Sequence, residues 1–122
     1  MLTVLIIDDD GAILTLVENL LKRTPYRAIF AHNGQEGLYI ARAERPDIIL
    51  LDDSLPAITG REMMSELRSD PFTANIPVII FSAALESRRP DYARSLGGDG
   101  LLAKPFNRAE LLSVLDTCLP DR

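Results

Sequence analysis

The sequence predicts an α/β protein built on one doubly wound parallel sheet of five strands, with helices on both faces. Two observations point there. Short apolar runs alternate strictly with stretches of helical periodicity, as in consecutive β-α units. The runs are also continuously apolar, without the polar alternation of a strand that faces water on one side, so each is covered on both faces. A third pattern bears on function: polar and acidic residues collect where these runs end.

Val4 to Ile7 is the first strand. Ile13, Leu16, Val17, Leu20 and Leu21 then recur at helical spacing, up to a stop at Thr24-Pro25. Arg27 to Ala31 is a weaker second strand. Asn33 and Glu36 have the spacing of a capping box, opening a helix to about Glu44, before Pro46. Ile48 to Leu51 is the third strand. Thr59 and Glu62 repeat the capping pattern for a helix through about Ser69, stopped by Asp70-Pro71. Pro77 to Phe81 is the fourth strand, and "SRRPDYARSLGG" is the least regular helix, with Pro90 early and Gly97 at its end. Gly100 to Ala103 is the fifth strand. Asn107 and Glu110 cap a last helix whose apolar face carries Leu111, Leu112, Leu115, Cys118 and Leu119. Right-handed crossovers leave few topologies, and the flavodoxin-like strand order 2-1-3-4-5 is the common one at this size.

Length and composition fit one domain spanning residues 1–122, with 47% hydrophobic and 25% charged residues. A net charge of −5 argues against direct binding to nucleic acid or to anionic membranes. No run approaches the roughly 18 apolar residues of a membrane span, and the start lacks the basic and long apolar regions of a signal peptide. The single cysteine, Cys118, excludes an internal disulfide and suits a reducing, cytoplasmic location.

In sheets of this kind ligands bind at the carboxyl ends of the strands, at the switch point between strands one and three. Strand one ends at Asp8, Asp9 and Asp10, strand three at Asp52 and Asp53, strand four at Ser82 and strand five at Lys104. Carboxylates from adjacent strands form a hard-oxygen site suited to Mg²⁺. A lysine and a hydroxyl suit a phosphoryl group beside it. Metal, phosphoryl group and a nucleophilic carboxylate are the equipment for forming an aspartyl phosphate.

The chain resembles the receiver domains of two-component response regulators. The likeness rests on "IIDD" after strand one, "LLDDSLPAITG" after strand three, "IIFSA" at strand four and "LLAKPF" at strand five, with "AHNGQEGL" in support. It covers essentially the whole chain. It implies that Asp52 is the phosphoacceptor, since Pro56 and Gly60 follow it at the family's spacing. It implies Mg²⁺ (or Mn²⁺) held by Asp8, Asp9, Asp52 and the backbone carbonyl of Ser54. It also implies phosphoryl contacts from Ser82, Ala83 and Lys104, and a cis bond before Pro105. Implied partners are a sensor histidine kinase or phosphotransfer protein, a downstream output domain or protein, and a second copy through the helix 4–strand 5–helix 5 face. The domain is expected to catalyse only its own phosphorylation and dephosphorylation, with a phosphoryl lifetime set by Ser54 and Ala84.

Several residues depart from the pattern or have ordinary readings. Leu101 stands where many receivers carry an aromatic switch, which leaves the usual readout without its ring. Asp53 replaces a customary apolar residue and reads as a solvated acid, and Thr59 replaces a frequent aspartate but also caps. Asp10 reads as a helix cap, His32 as a surface residue and Cys118 as a core thiol. Arg88, Arg89 and Arg94 read as a solvated basic face. Two other readings stand beside the receiver. One is a pseudo-receiver used only for protein binding. The other is a haloacid-dehalogenase-type phosphatase with Asp8 as nucleophile and Asp10 as acid/base, where Ala12 breaks that signature.

Overall fold

The computed structural model describes residues 1–83 and 91–119. The apolar runs form β1 (Leu2–Ile7), β2 (Tyr26–Ala31), β3 (Ile48–Asp52), β4 (Val78–Ser82) and β5 (Gly100–Ala103). They pair in parallel in the order β2-β1-β3-β4-β5, as expected, with α1 (Gly11–Leu20), α2 (Gly34–Glu44), α3 (Gly60–Ser69), α4 (Tyr92–Ser95) and α5 (Arg108–Cys118) between and after them. β1, β2 and β3 run one or two residues beyond the expected bounds and β4 is shifted one residue later, as the pairs Leu2↔Tyr26, Asp52↔Phe81 and Ser82↔Ala103 set these ends.

Alternate residues of one strand feed two cores, since successive side chains point to opposite faces. Val4, Ile6, Ile48, Leu50, Ile79 and Phe81 pack with Leu14, Val17, Leu111 and Leu115 of α1 and α5. Leu5, Ile7, Ile49, Leu51, Val78 and Ile80 pack with Ala41, Met63, Met64, Leu67 and Ala93 of α2, α3 and α4. Each fully buried aliphatic side chain contributes on the order of 1.5–3 kcal/mol. The strands are therefore fixed from both sides, and so are the places where they end. At Gly37 an added Cβ would meet Ile7 Cδ1 at 2.6 Å, which shows how closely α2 lies on β1.

The expected residues Asn33, Thr59 and Asn107 cap their helices, with one change of partner. Thr59/Glu62 and Asn107/Glu110 form reciprocal capping boxes on α3 and α5. Asn33 accepts from the Glu36 N–H, but the Glu36 carboxylate turns past it to the His32 N–H at 2.7 Å and His32 Nδ1 at 3.1 Å. These bonds hold the Glu36 carboxyl below its ordinary value. The inner face of α1 differs from the expected one. Leu14, Val17 and the following Leu21 are buried and Ile13 and Leu20 partly so, while Leu16 is 40% exposed. The stretch "AILTLVENLL" is apolar at too many positions to fix a phase. Packing of Leu14, Val17 and Leu21 against the sheet sets it instead, and Asp10, which accepts from the Ala12 N–H, caps the helix so placed. Arg88, Arg89, Pro90 and Ala84 lie outside the described residues, so the readings placed on them are not addressed.

Candidate functional site

The site is assembled from strand ends. The Asp8 N–H donates to the Ala31 carbonyl, continuing the β1-β2 ladder past Ile7. That places the Asp8 carboxylate inside the edge, only 1% exposed. Its Oδ1 accepts from the Asp10 N–H at 2.9 Å. Asp9 points outward and is exposed, and Asp10 is spent on the α1 cap. On the neighbouring strand Asp52 ends β3 in register with Phe81 and is 3% exposed, its Oδ1 accepting from the Ser54 N–H at 3.1 Å.

Across from both, the Lys104 N–H donates to the Ser82 carbonyl at 2.9 Å, extending the β4-β5 pairing by one residue. The lysine side chain then reaches back over the edge. Nζ lies 3.0 Å from Asp8 Oδ2 and 3.5 Å from Asp52 Oδ1, and 4.4 Å from the centre of the Phe81 ring. The Lys104–Pro105 peptide is cis. Ser82 is fully buried at the end of β4, and Ala83 is exposed beside it. The sheet thus brings Asp8, Asp9, Asp52, Ser82, Ala83 and Lys104 to one edge.

Among the described residues, the carboxylates of Asp8, Asp9 and Asp52 stand here against the Lys104 ammonium. Burial, the largest influence, pushes the Asp52 carboxyl up to about 6 from 3.8. The Ser54 N–H and Lys104 act downward, and nearby Asp8 acts upward again. Carboxylate oxygens of Asp8, Asp9 and Asp52 lie within 4.8 Å of one another. Hard oxygen donors at that spacing fit a small divalent cation that keeps several waters. Such a cation would relieve the repulsion from Asp8 that adds to the effect of burial on Asp52.

The loop after β3 holds a contact that the sequence did not disclose. Asp53 is not merely solvated: its Oδ2 accepts from the Tyr92 hydroxyl of α4, and its Oδ1 accepts from Ser54 Oγ at 3.2 Å. Tyr92 lies inside the irregular helical segment, where the sequence pattern assigns it no role. The only signal available was a tyrosine among small and charged residues, with nothing to show its target. Gly60 lets the loop close onto α3, since a Cβ there would come within 3.2 Å of Asp53 Cβ. Leu101 packs against the core beneath α4 and carries no polar group toward the site. Cys118 is half-buried, its Sγ donating to the Asp99 carbonyl at 3.5 Å, and burial pushes its thiol up, as suits a packing residue.

The fold is a doubly wound sheet with carboxylates on two adjacent strand ends and a lysine across from them. The chain belongs to the response regulator receiver domain family, whose model matches residues 4–116. It is 32% identical over 117 residues to the phosphate regulon transcriptional regulatory protein PhoB of Pseudomonas aeruginosa, covering 96% of this chain and 51% of PhoB. It therefore spans about half the length of that relative. Among solved structures, the chemotaxis response regulator CheY4 of Vibrio cholerae superposes with a TM-score of 0.88 at 29% identity, over 98% of this chain and 99% of that one. The receiver domain of the sensor histidine kinase PA1611 of Pseudomonas aeruginosa PAO1 superposes with a TM-score of 0.85 at 28% identity, over 96% of each chain. That structure holds a magnesium ion in its active-site cleft. Receiver domains are signalling domains of two-component systems. No helix among the described residues is long and apolar enough to cross a membrane.

Proposed function

We propose that the domain accepts a phosphoryl group on Asp52 from the phosphohistidine of a sensor kinase or phosphotransfer protein and passes the change to an output domain or protein. The observation that carries this is Asp52 itself: a buried carboxylate at a strand end, beside Asp8 and within 3.5 Å of Lys104. With its carboxyl at about 6, about nine-tenths of it is ionised at pH 7, so burial leaves it available as a nucleophile. An Asp52 carboxylate oxygen attacks phosphorus while the bond from phosphorus to the donor imidazole nitrogen breaks. The nitrogen keeps the electron pair and takes up a proton.

Asp8, Asp9, Asp52 and the Ser54 carbonyl would hold Mg²⁺, a reading that the magnesium in the PA1611 receiver supports. When bound, the ion supplies positive charge for the phosphoryl oxygens and neutralises the acidic cluster. Lys104 balances Asp8 and Asp52 before transfer and offers its ammonium to a phosphoryl oxygen afterwards. Ser82 and Ala83, at the end of β4, border the place that group would occupy. Catalysis here is positioning and charge neutralisation, with no proton to be removed from the nucleophile.

Incubation with Mg²⁺ and a small-molecule phosphodonor should add one phosphate by intact-mass spectrometry, lost in Asp52→Asn and on chelation of the metal. Labelling that survives in Asp52→Asn but vanishes in Asp8→Asn would support the phosphatase reading instead. An unlabelled wild type would leave only a protein-binding role.

A further inference from the structure

A chain of hydrogen bonds runs from the carboxylate of Asp52 to the fourth helix. The Ser54 N–H donates to Asp52 Oδ1 at 3.1 Å, Ser54 Oγ donates to Asp53 Oδ1 at 3.2 Å, and the Tyr92 hydroxyl donates to Asp53 Oδ2. Every link is local or tightly packed, because Asp53 has Gly60 against its Cα and Cβ and Tyr92 packs against the core of that face. The far end of α4 is held separately: Arg61 Nη1 donates to the Ser95 carbonyl at 3.2 Å and Arg68 Nη2 to the Gly97 carbonyl at 3.5 Å. α4 has four residues. A helix that short has little internal cooperativity, so its placement depends on such outside ties.

We infer that Asp53 and Tyr92 are positioning residues that couple the state of Asp52 to α4. The inference rests on Asp52 being the phosphoacceptor. Phosphorylation converts the Asp52 carboxylate into an uncharged acyl ester with a phosphate beyond it. The Ser54 N–H then loses a charged acceptor, and charge-assisted hydrogen bonds are roughly twice as strong as neutral ones. The Ser54 side chain is free to re-aim, Asp53 moves with it, and the Tyr92 tether loosens. An aromatic side chain thus reads the site from α4, while position 101 on β5 holds a leucine that offers no hydroxyl. The acid next to the phosphoacceptor, which sequence alone assigns to solvent, becomes the first link of the readout.

The test follows amide hydrogen exchange of residues 91–96 in the full chain, before and after phosphorylation with Mg²⁺ and a small phosphodonor, with uptake followed by mass in parallel. Losing a bond to a charged group should speed exchange in wild type about tenfold. Tyr92→Phe keeps the ring and removes only the hydroxyl. It should still take up one phosphate, exchange about tenfold faster before phosphorylation, and respond less than about twofold afterwards. Asp53→Ala should behave likewise, and the double variant should match either single one, as expected of two members of one link. Asp53→Asn, which keeps an acceptor, should restore most of the response. Normal uptake with an unchanged α4 in wild type, a full response in Tyr92→Phe, or additive effects in the double variant overturns the coupling alone. No uptake by wild type overturns the phosphoacceptor assignment, and the coupling with it.

Discussion

The ends of β1 and β3 carry nearly the same sequence, IIDDD and LLDDS, and nearly the same local geometry. In each, the first acid is buried and accepts from the N–H two residues on, at 2.9 Å for Asp8 and 3.1 Å for Asp52. The second acids differ: Asp9 is exposed, whereas Asp53 is half-buried against Gly60 and tied to Tyr92. The difference widens at the third residue. Asp10 caps α1 at once, so the first stretch is pinned to a ten-residue helix. Ser54 opens a loop over residues 53–59 before Thr59 caps α3. Lys104 follows the same division, 0.5 Å closer to Asp8 (3.0 Å) than to Asp52 (3.5 Å). One acid pair is a fixed fixture. The other sits on backbone with room to rearrange, which is where a group that gains and loses a phosphate is best placed.

The contrast can be broken most forcefully at Asp52. Its carboxyl sits at about 6 against 3.8 ordinarily, so between those values the folded chain holds a proton that the unfolded chain has released. Stability from this group therefore falls as pH rises from about 4 to about 6, then stays level. The displacement corresponds to about 3 kcal/mol. In Asp52→Asn that fall is absent, so urea unfolding in metal-free buffer should favour the variant by about 3 kcal/mol more at pH 7 than at pH 3. A difference independent of pH would mean that burial does not hold Asp52 up.

The second acids of the two stretches come next in size. Asp9 belongs to the carboxylate cluster and Asp53 is tied to Tyr92. Mg²⁺ at about a hundredfold its dissociation constant should stabilise wild type by about 2.7 kcal/mol. Asp9→Ala should lose most of that gain and Asp53→Ala should keep it, measured by denaturant midpoints with and without the metal. Equal losses would make the two stretches one undivided acidic rim.

The third residue of the first stretch separates capping from chemistry. Asp10→Ala removes the acceptor for the Ala12 N–H and should cost about 1 kcal/mol, the usual loss for a cap. The gain in stability from Mg²⁺ should stay within about 0.4 kcal/mol of wild type, a twofold change in affinity at most. A large loss of metal binding would move Asp10 into the cluster and revive the phosphatase-like reading of this stretch.

How much of this was legible follows from how local each cause is. Asp10, Asn33, Thr59 and Asn107 were readable as caps because a cap and its target lie two or three residues apart. Asp8, Asp52 and Lys104 were readable as neighbours because an alternating β-α chain allows few strand orders. The face of α1 was not, since Leu14 and Leu16 are equally apolar and only packing chooses between them. The Glu36 turn toward His32 depends on one side-chain rotamer. The Tyr92 tether joins residues far apart in sequence through α4, whose placement no periodicity fixes.

The smallest effect lies in the loop that distinguishes the two ends. Ala57 has φ of 71°, in the left-handed region, one residue after Pro56. There the Cβ crowds the following carbonyl at a cost of about 1–2 kcal/mol, which glycine avoids. Glycine also gives the unfolded chain more freedom, which takes back roughly 0.5–1 kcal/mol. Ala57→Gly should therefore stabilise the domain by about 0.5 kcal/mol, a shift in midpoint small enough to need parallel urea titrations. The kinetic consequence is more telling than the energy. Relieving the loop without touching Asp52, Ser54 or Asp53 should leave phosphate uptake unchanged while altering how fast residues 53–59 exchange their amides. If Ala57→Gly instead destabilises, the left-handed turn is held by contacts that alanine itself makes, and the loop after β3 is as firmly fixed as the cap after β1.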